Sequence, residues 1–212
     1  MSIVDEQHRL RRKLEERGVS DTRVLDVIEQ TRRDLFMPEE MRSLAYVNDA
    51  LPIGLGQTIS QPLIVALMTQ ALALTGTETV LEIGTGSGYQ AAILAKLCRK
   101  VVTIERLEEL SLRAQRALTD LGYTNIEFRV GDGTLGCPEL GPYDGILVTA
   151  AAPSIPEPLY MQLKPGGRLI VPVGDEYSQS LLSVERRDPE PRIVDLGGCR
   201  FVKLIGKAGW PE

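Results

Sequence analysis

Three short stretches carry residue types whose spacing suits the binding of a single nucleoside. Gly84, Gly86 and Gly88 stand in Val80-Leu81-Glu82-Ile83-Gly84-Thr85-Gly86-Ser87-Gly88-Tyr89, where a β-branched run turns through glycines into a helical pattern. At the carboxyl end of a parallel strand, such glycines let a ligand approach the backbone where side chains would intrude. They also suit a strand-to-helix turn that needs glycine for conformation alone. Glu105 closes the next apolar run, 17 residues after Gly88, where a carboxylate can accept hydrogen bonds from both hydroxyls of a ribose. Gly131-Asp132-Gly133 follows a third such run, and Asp132 could accept from an adenine amino group. Three successive strand ends would thus meet at one nucleoside.

The glycine spacing selects among nucleoside cofactors. The loop is G-x-G-x-G, whereas the turn that cradles a dinucleotide pyrophosphate at a helix N-terminus is G-x-G-x-x-G/A. Glu82 would repel a pyrophosphate but suits a sulfonium and an ammonium group. The expected cofactor is therefore S-adenosyl-L-methionine, leaving as S-adenosyl-L-homocysteine, with Glu82, Gly84, Gly86, Gly88, Glu105, Asp132 and Gly133 as its binding residues. Cys98, Cys137 and Cys199 have neither disulfide nor metal-ligand spacing, so no metal is expected. The only histidine, His8, lies in a charged segment, which argues against histidine catalysis.

An alternating chain must position these residues. From residue 79 onward, strand-like runs at 80–83, 101–104, 126–130, 145–149 and 168–173 alternate with helical patterns at 89–97, 107–121 and 156–163. That order predicts a Rossmann-like α/β fold, a mainly parallel doubly wound sheet with helices on both faces. The stretches 180–186 and 200–205 are expected to pair as an antiparallel C-terminal edge. Before the sheet, residues 6–17 form a thinly apolar helix, a second helix opens with Ser20 as its cap, and Pro38 closes it. The glycine-rich stretch around Gly54 and Gly56 reads as loop, with residues 53–56 as a lid, and Pro62 opens a helix to about residue 74. Residues 1–50 are thus an N-terminal helical extension and 51–212 the methyltransferase domain, in a single globular unit.

The chain has 212 residues, 43% apolar and 25% charged, with a formal net charge of -5. A mildly acidic surface lacks the basic field that neutralises nucleic-acid phosphates, so no nucleic-acid partner is expected. The apolar runs are too short to cross a bilayer, and the first residues lack an apolar signal core. A cytoplasmic monomer without membrane contact is expected.

The sequence resembles the protein-L-isoaspartate O-methyltransferases from about Ala45 to Leu204. The resemblance is carried by Leu51-Pro52-Ile53-Gly54, Gly56-Gln57-Thr58-Ile59-Ser60-Gln61-Pro62, the stretch from Val80 to Tyr89, Gly131-Asp132-Gly133, Val148-Thr149-Ala150-Ala151-Ala152-Pro153 and Arg200-Phe201-Val202. It implies methyl transfer to the α-carboxylate of L-isoaspartyl residues in damaged proteins or peptides, followed by collapse of the ester to a succinimide. It also implies that Ser60 is the active-site hydroxyl and that Thr58 and Ile59 line the boundary between cofactor and substrate. Ile53, Gly54, Gln57 and Val202 are expected on the substrate side, with Val202 in a C-terminal strand. The chain departs from the family pattern at Lys203, commonly proline, and at Thr134, commonly aromatic in bacterial members, which leaves peptide preference open.

The residues suit that chemistry. A carboxylate with an ordinary pKa near 4 is ionised at neutral pH and attacks a methyl carbon without a general base. The protein must align oxygen, methyl and sulfur and exclude water. Ser60 would orient the carboxylate, or would merely cap the helix that follows it. Gln57 and Gln61 either bind substrate or satisfy loop amides. Two other functions remain open on this scaffold: methylation of a different acceptor, and cofactor binding without catalysis.

Overall fold

The computed structural model describes residues 2–211. Helix α1 (Ile3–Glu16) begins with a reciprocal capping box between Ser2 and Asp5, one turn earlier than its apolar stripe suggests. Helix α2 (Thr22–Gln30) is capped by Asp21, whose carboxylate accepts from the Arg23 amide, and not by Ser20. The Ser20 and Asp21 amides both bond Gln70 Oε1, at 2.7 and 2.8 Å. Pro38 does not close α2, which ends at Gln30 with Thr31 as its C-cap; the proline instead separates two 3-10 turns, Arg33–Phe36 and Glu39–Leu44.

The glycine-rich stretch is a hairpin and not an irregular loop. Strands β1 (Leu51–Gly54) and β2 (Gln57–Ile59) pair antiparallel, with Gly54 opposite Gln57. The two residues between them, Leu55 and Gly56, have φ of +52° and +70°. Positive φ at both central positions matches the right-handed twist of the flanking strands and makes a tight two-residue connection. Helix α3 (Pro62–Leu72) follows, with Pro62 in the first turn where an amide hydrogen is not needed.

The rest of the chain alternates as the periodicity predicts. Strand β3 (Thr79–Ile83), helix α4 (Tyr89–Leu97), strand β4 (Lys100–Glu105), helix α5 (Glu108–Asp120), strand β5 (Ile126–Val130), strand β6 (Tyr143–Val148), helix α6 (Glu157–Met161) and strand β7 (Leu163–Gly174) lead to β8 (Gln179–Glu185) and β9 (Arg192–Cys199). The seven-stranded sheet has the order β5-β4-β3-β6-β7-β8-β9. Its first five strands are parallel, and β8 and β9 are antiparallel. The fold is a Rossmann-like doubly wound sheet with an antiparallel edge.

The last strand falls at residues 192–199, not at 200–205 as the apolar pattern suggests. Residues 200–205 instead cross the carboxyl end of the sheet, where the Ala151 amide donates to Val202 O and Leu204 N donates to Ala151 O, both at 2.8 Å. Strand side chains alternate between faces. Val80, Val101, Leu147 and Ile170 therefore share one core with α1 to α4, while Leu81, Ile83, Val102, Ile146 and Val148 join Leu159 of α6 in a second core. The chain runs from β3 through β4 to β5 on one side and returns to β6 on the other, so β3 marks the point where the strand order reverses. Ligands of open α/β sheets bind in the crevice outside the carboxyl ends of strands at such a point.

Candidate active site

A cavity of about 860 Å³ opens at that crevice, between the glycine loop after β3 on one side and the β2–α3 connection on the other. Gly84, Gly86, Glu105 and Gly133 line it together with Gln57, Thr58, Ile59, Ser60 and Val202. Two stretches about 25 residues apart in sequence thus face one space, as their chemistry requires.

On the cofactor side, the β3–α4 turn is held by its neighbours. Gly84 N donates to Ile104 O at 2.8 Å and Gly86 N to Glu105 Oε2 at 2.9 Å, and Leu107 N donates to Glu105 Oε1 at 3.0 Å. Each Glu105 oxygen keeps a second lone pair, so the carboxylate that fixes the loop can also accept from a ribose. Gly84 has a φ of +93°, and a Cβ built there would meet the Thr149 hydroxyl at 2.3 Å. The cradle fits a nucleoside brought against bare backbone.

Glu82 does not line the cavity as an anion. Period-two alternation turns it into the core on the Val80 face, fully buried, where Thr103 donates to it at 2.5 Å and Thr85 hydrogen-bonds Thr103 at 2.7 Å. Its other oxygen, Oε1, has no partner among the described residues. Burial, with a smaller contribution from the Glu105 charge, pushes its pKa up to about 8 despite the Thr103 hydrogen bond. The acid is therefore weaker in the folded chain than in the unfolded one. Below pH 4.5 both states hold the proton and the group costs nothing; between there and about 8 the unfolded chain ionises alone, and stability falls. Glu82→Gln is expected to remove this slope. Unfolding free energies from urea titrations between pH 5 and pH 8 should increasingly favour the variant over wild type, by up to about 1.4 kcal/mol per pH unit, and parallel profiles would show that Glu82 keeps an ordinary acidity.

Asp132 is also engaged by the protein. Its Oδ1 accepts from the Thr134 amide and hydroxyl at 2.9 and 2.6 Å, and its Oδ2 accepts from the Lys207 amide at 2.9 Å. Partial burial raises its pKa, but these bonds outweigh it and hold the carboxyl below the ordinary range. Asp132 lies beside a shallower depression that adjoins the cavity and includes Arg106, Lys207 and Trp210. Thr134, fully buried, also accepts from the Ala208 amide at 3.0 Å, so this departure from the expected aromatic serves to tie down the C-terminal segment. Gly88 is a packing position: a Cβ there would meet Leu118 at 2.9 Å.

On the acceptor side, Ser60 is half-buried and its hydroxyl makes no hydrogen bond among the described residues. The alternative of a helix cap finds no support, because Gln61 occupies the cap position without a side-chain bond and Asn48 Oδ1 accepts from Leu63 N at 3.0 Å. Gln61 Nε2 donates to Asn48 O at 2.7 Å, locking the two segments together. Thr58 is exposed and Ile59 buried in the cavity wall. Gln57 makes one long bond to Leu55 O, at 3.4 Å. Ile53 turns into the core, and Gly54 lies in the hairpin outside the cavity lining.

Val202 lines the cavity from the crossing segment and not from a regular strand. Gln179 pins that segment by pairing with the Phe201 backbone, accepting from its amide at 2.7 Å and donating to its carbonyl at 3.2 Å. Lys203, the other departure, sits over the Trp210 ring at 5.4 Å and 3.6 Å from Glu176. Asn48, Gln90 and Gln179 all shape the site without a local spacing that marks them in sequence.

Known proteins share this chain's sequence pattern and fold. The family model described as protein-L-isoaspartate(D-aspartate) O-methyltransferase matches residues 5–209. A protein-L-isoaspartate O-methyltransferase of Trichlorobacter lovleyi is 55% identical over 195 residues, covering 92% of this chain and 90% of that protein. One from Dictyoglomus turgidum is 53% identical over 199 residues, covering 94% and 90%. A solved protein-L-isoaspartate O-methyltransferase structure superposes with a TM-score of 0.85 at 32% identity, over 96% of this chain and 67% of that one. A Plasmodium falciparum structure in complex with S-adenosyl-L-homocysteine shares the fold, with a TM-score of 0.80 at 24% identity over 92% and 96%.

Proposed function

The chain belongs to the protein-L-isoaspartate(D-aspartate) O-methyltransferase family, and from that premise we propose how this site performs carboxyl methylation. The chain is an S-adenosylmethionine-dependent protein-L-isoaspartate O-methyltransferase acting on isoaspartyl proteins and peptides. The observation that carries the mechanism is Ser60, whose hydroxyl has no hydrogen-bond partner among the described residues and which lines the same cavity as the glycine loop and Glu105.

Gly84, Gly86 and Gly133 would admit the cofactor against backbone, and Glu105 would accept from its ribose. S-adenosylmethionine supplies a methyl group on a cationic sulfur. The incoming isoaspartyl α-carboxylate is already ionised, so no residue need remove a proton. Ser60 donates a hydrogen bond to it and sets its direction; Thr58 and Ile59 form the wall between the two reactants, and Gln57 and Val202 flank the acceptor. Closing peptide over the cavity removes water from two opposite charges that cancel as the bond forms. Once released, the methyl ester is attacked by the amide nitrogen of the following residue, methanol leaves, and the succinimide hydrolyses partly to normal aspartate.

The reading is of a monomer working in the cytoplasm on protein acceptors, without nucleic acid or membrane. No helix among the described residues is long and apolar enough to cross a membrane. Incubation with labelled S-adenosylmethionine and paired peptides that differ only in an isoaspartyl or aspartyl linkage should label the isoaspartyl member alone. Equal labelling, or none, would refute the assignment.

A further inference from the structure

Behind the acceptor wall lies a cation that the reaction has not used. Arg33, the second of three consecutive charged residues, is fully buried, and no carboxylate lies within ion-pair distance of it among the described residues. Its Nη1 donates to Ala45 O at 2.6 Å, and its Nη2 donates to Asp49 O at 3.0 Å and to Ser60 O at 3.1 Å. Nε has no partner. The guanidinium also lies 6.0 Å from the centre of the Tyr89 ring, which lines the cavity and is braced edge-on by Phe36 at 5.5 Å.

Two features of this arrangement exceed what folding alone needs. Neutral carbonyls leave a buried guanidinium short of compensating charge, and breaking or starving such a group is costly unless an anion comes near. Burial lowers its pKa to about 10, against the smaller opposing effects of Tyr89, Tyr46 and Asp49, so it is still a cation at neutral pH. The three carbonyls it clamps also belong to the segment that runs into Ser60, and one of them is the carbonyl of Ser60 itself.

We infer that Arg33 is a positioning residue for the acceptor: its planar fork fixes residues 45–60 so that the Ser60 hydroxyl faces the cavity, and its charge favours an anionic acceptor group there. This deepens the carboxyl-methylation reading and rests on it. Arg33 acts through Ser60 and Tyr89 and does not itself line the cavity. Lysine would keep the charge but cannot reproduce the three-acceptor fork, and methionine would keep neither.

The test compares wild type, Arg33→Lys and Arg33→Met. In Arg33→Lys, S-adenosylhomocysteine affinity measured by calorimetry should stay near that of wild type, while kcat/KM for an isoaspartyl peptide falls about tenfold, the scale of a lost charge-assisted hydrogen bond. Arg33→Met should fall further than Arg33→Lys, and amide exchange should accelerate in residues 45–61 of Arg33→Lys but not in residues 79–105. Equal losses of cofactor affinity and peptide turnover, or lower thermal stability with unchanged kcat/KM, would overturn the inference; equal turnover in the two variants would overturn its electrostatic part. Failure of wild type to methylate the isoaspartyl peptide would instead refute the functional reading, and the exchange comparison would still decide the clamp.

Discussion

Gly84→Ala is expected to weaken S-adenosylhomocysteine binding by about tenfold or more and to lower stability by about 1–3 kcal/mol, from strain and crowding in the turn that cradles the cofactor. Two separable causes act at this position. A φ of +93° disfavours any side chain, and the added Cβ would lie 2.3 Å from the Thr149 hydroxyl, which itself donates to Ile83 O and Gly84 O at 3.0 and 2.7 Å. Gly76 separates them: its φ is +114°, yet a Cβ there meets nothing within 4 Å. Gly76→Ala should therefore cost stability without changing cofactor affinity. Combining Gly84→Ala with Thr149→Ala should recover part of the loss, because the next nearest atom, Thr149 Cβ, is an ordinary 3.6 Å away. Calorimetric titration of the four proteins decides the matter; unchanged affinity in Gly84→Ala would mean that the cofactor does not approach this backbone. Gly84→Val, β-branched and directed at the Thr149 side chain, should weaken binding further than Gly84→Ala.

The sheet was readable because its signal is local and repeated. Residues 89–97 and 126–130 coincide with α4 and β5: α4 is buried almost throughout and long enough to read as a helix, and β5 alternates Ile126, Phe128 and Val130 with charged residues. Strand β9 escaped the same reasoning because it is an edge: nearly all of it is exposed and it carries Gly197 and Gly198, so no buried face imposes alternation. The apolar residues Phe201, Val202 and Leu204 suggest a strand instead, although they cross the end of the sheet, where only Leu204 is fully buried and Val202 stays exposed. The hairpin at residues 51–59 was hidden by its glycines, which serve both loops and the tightest reverse turns.

The site was legible to the degree that its parts lie on strand ends. Gly84, Gly86, Glu105 and Gly133 follow from the alternation, and Thr58, Ile59 and Ser60 from a motif the alternation does not explain. At Glu82 residue type suggests a charge facing the cofactor, whereas strand phase sends the side chain into a core whose burial favours the protonated acid. Asn48 and Arg33 could not be found locally, since each acts on residues 12 or more positions away. Arg33 in particular sits in an Arg-Arg-Asp run that reads as solvated surface.

Ser60→Ala should lower kcat/KM for the isoaspartyl peptide by about ten- to a hundredfold, the equivalent of one hydrogen bond to a charged group, while leaving S-adenosylhomocysteine affinity and thermal stability unchanged. The stability expectation follows from the free hydroxyl: no protein group loses a partner, and the first turn of α3 is served by Asn48. The kinetic expectation needs more care, because negative charge on the carboxylate falls as the methyl group arrives. A donor that only neutralised that charge would stabilise bound substrate more than the transition state, raising KM without lowering kcat. A donor that holds the attacking oxygen in line with methyl and sulfur lowers kcat when removed, since misalignment persists at saturating peptide. Ser60→Thr keeps the donor and adds a methyl, and Ser60→Val keeps that shape without the donor. If alignment by the hydroxyl is the role, Ser60→Thr retains most of kcat and Ser60→Val loses it as Ser60→Ala does. Equal losses in Thr and Val variants would point to crowding, and a fall in thermal stability with kcat intact would return Ser60 to the helix cap.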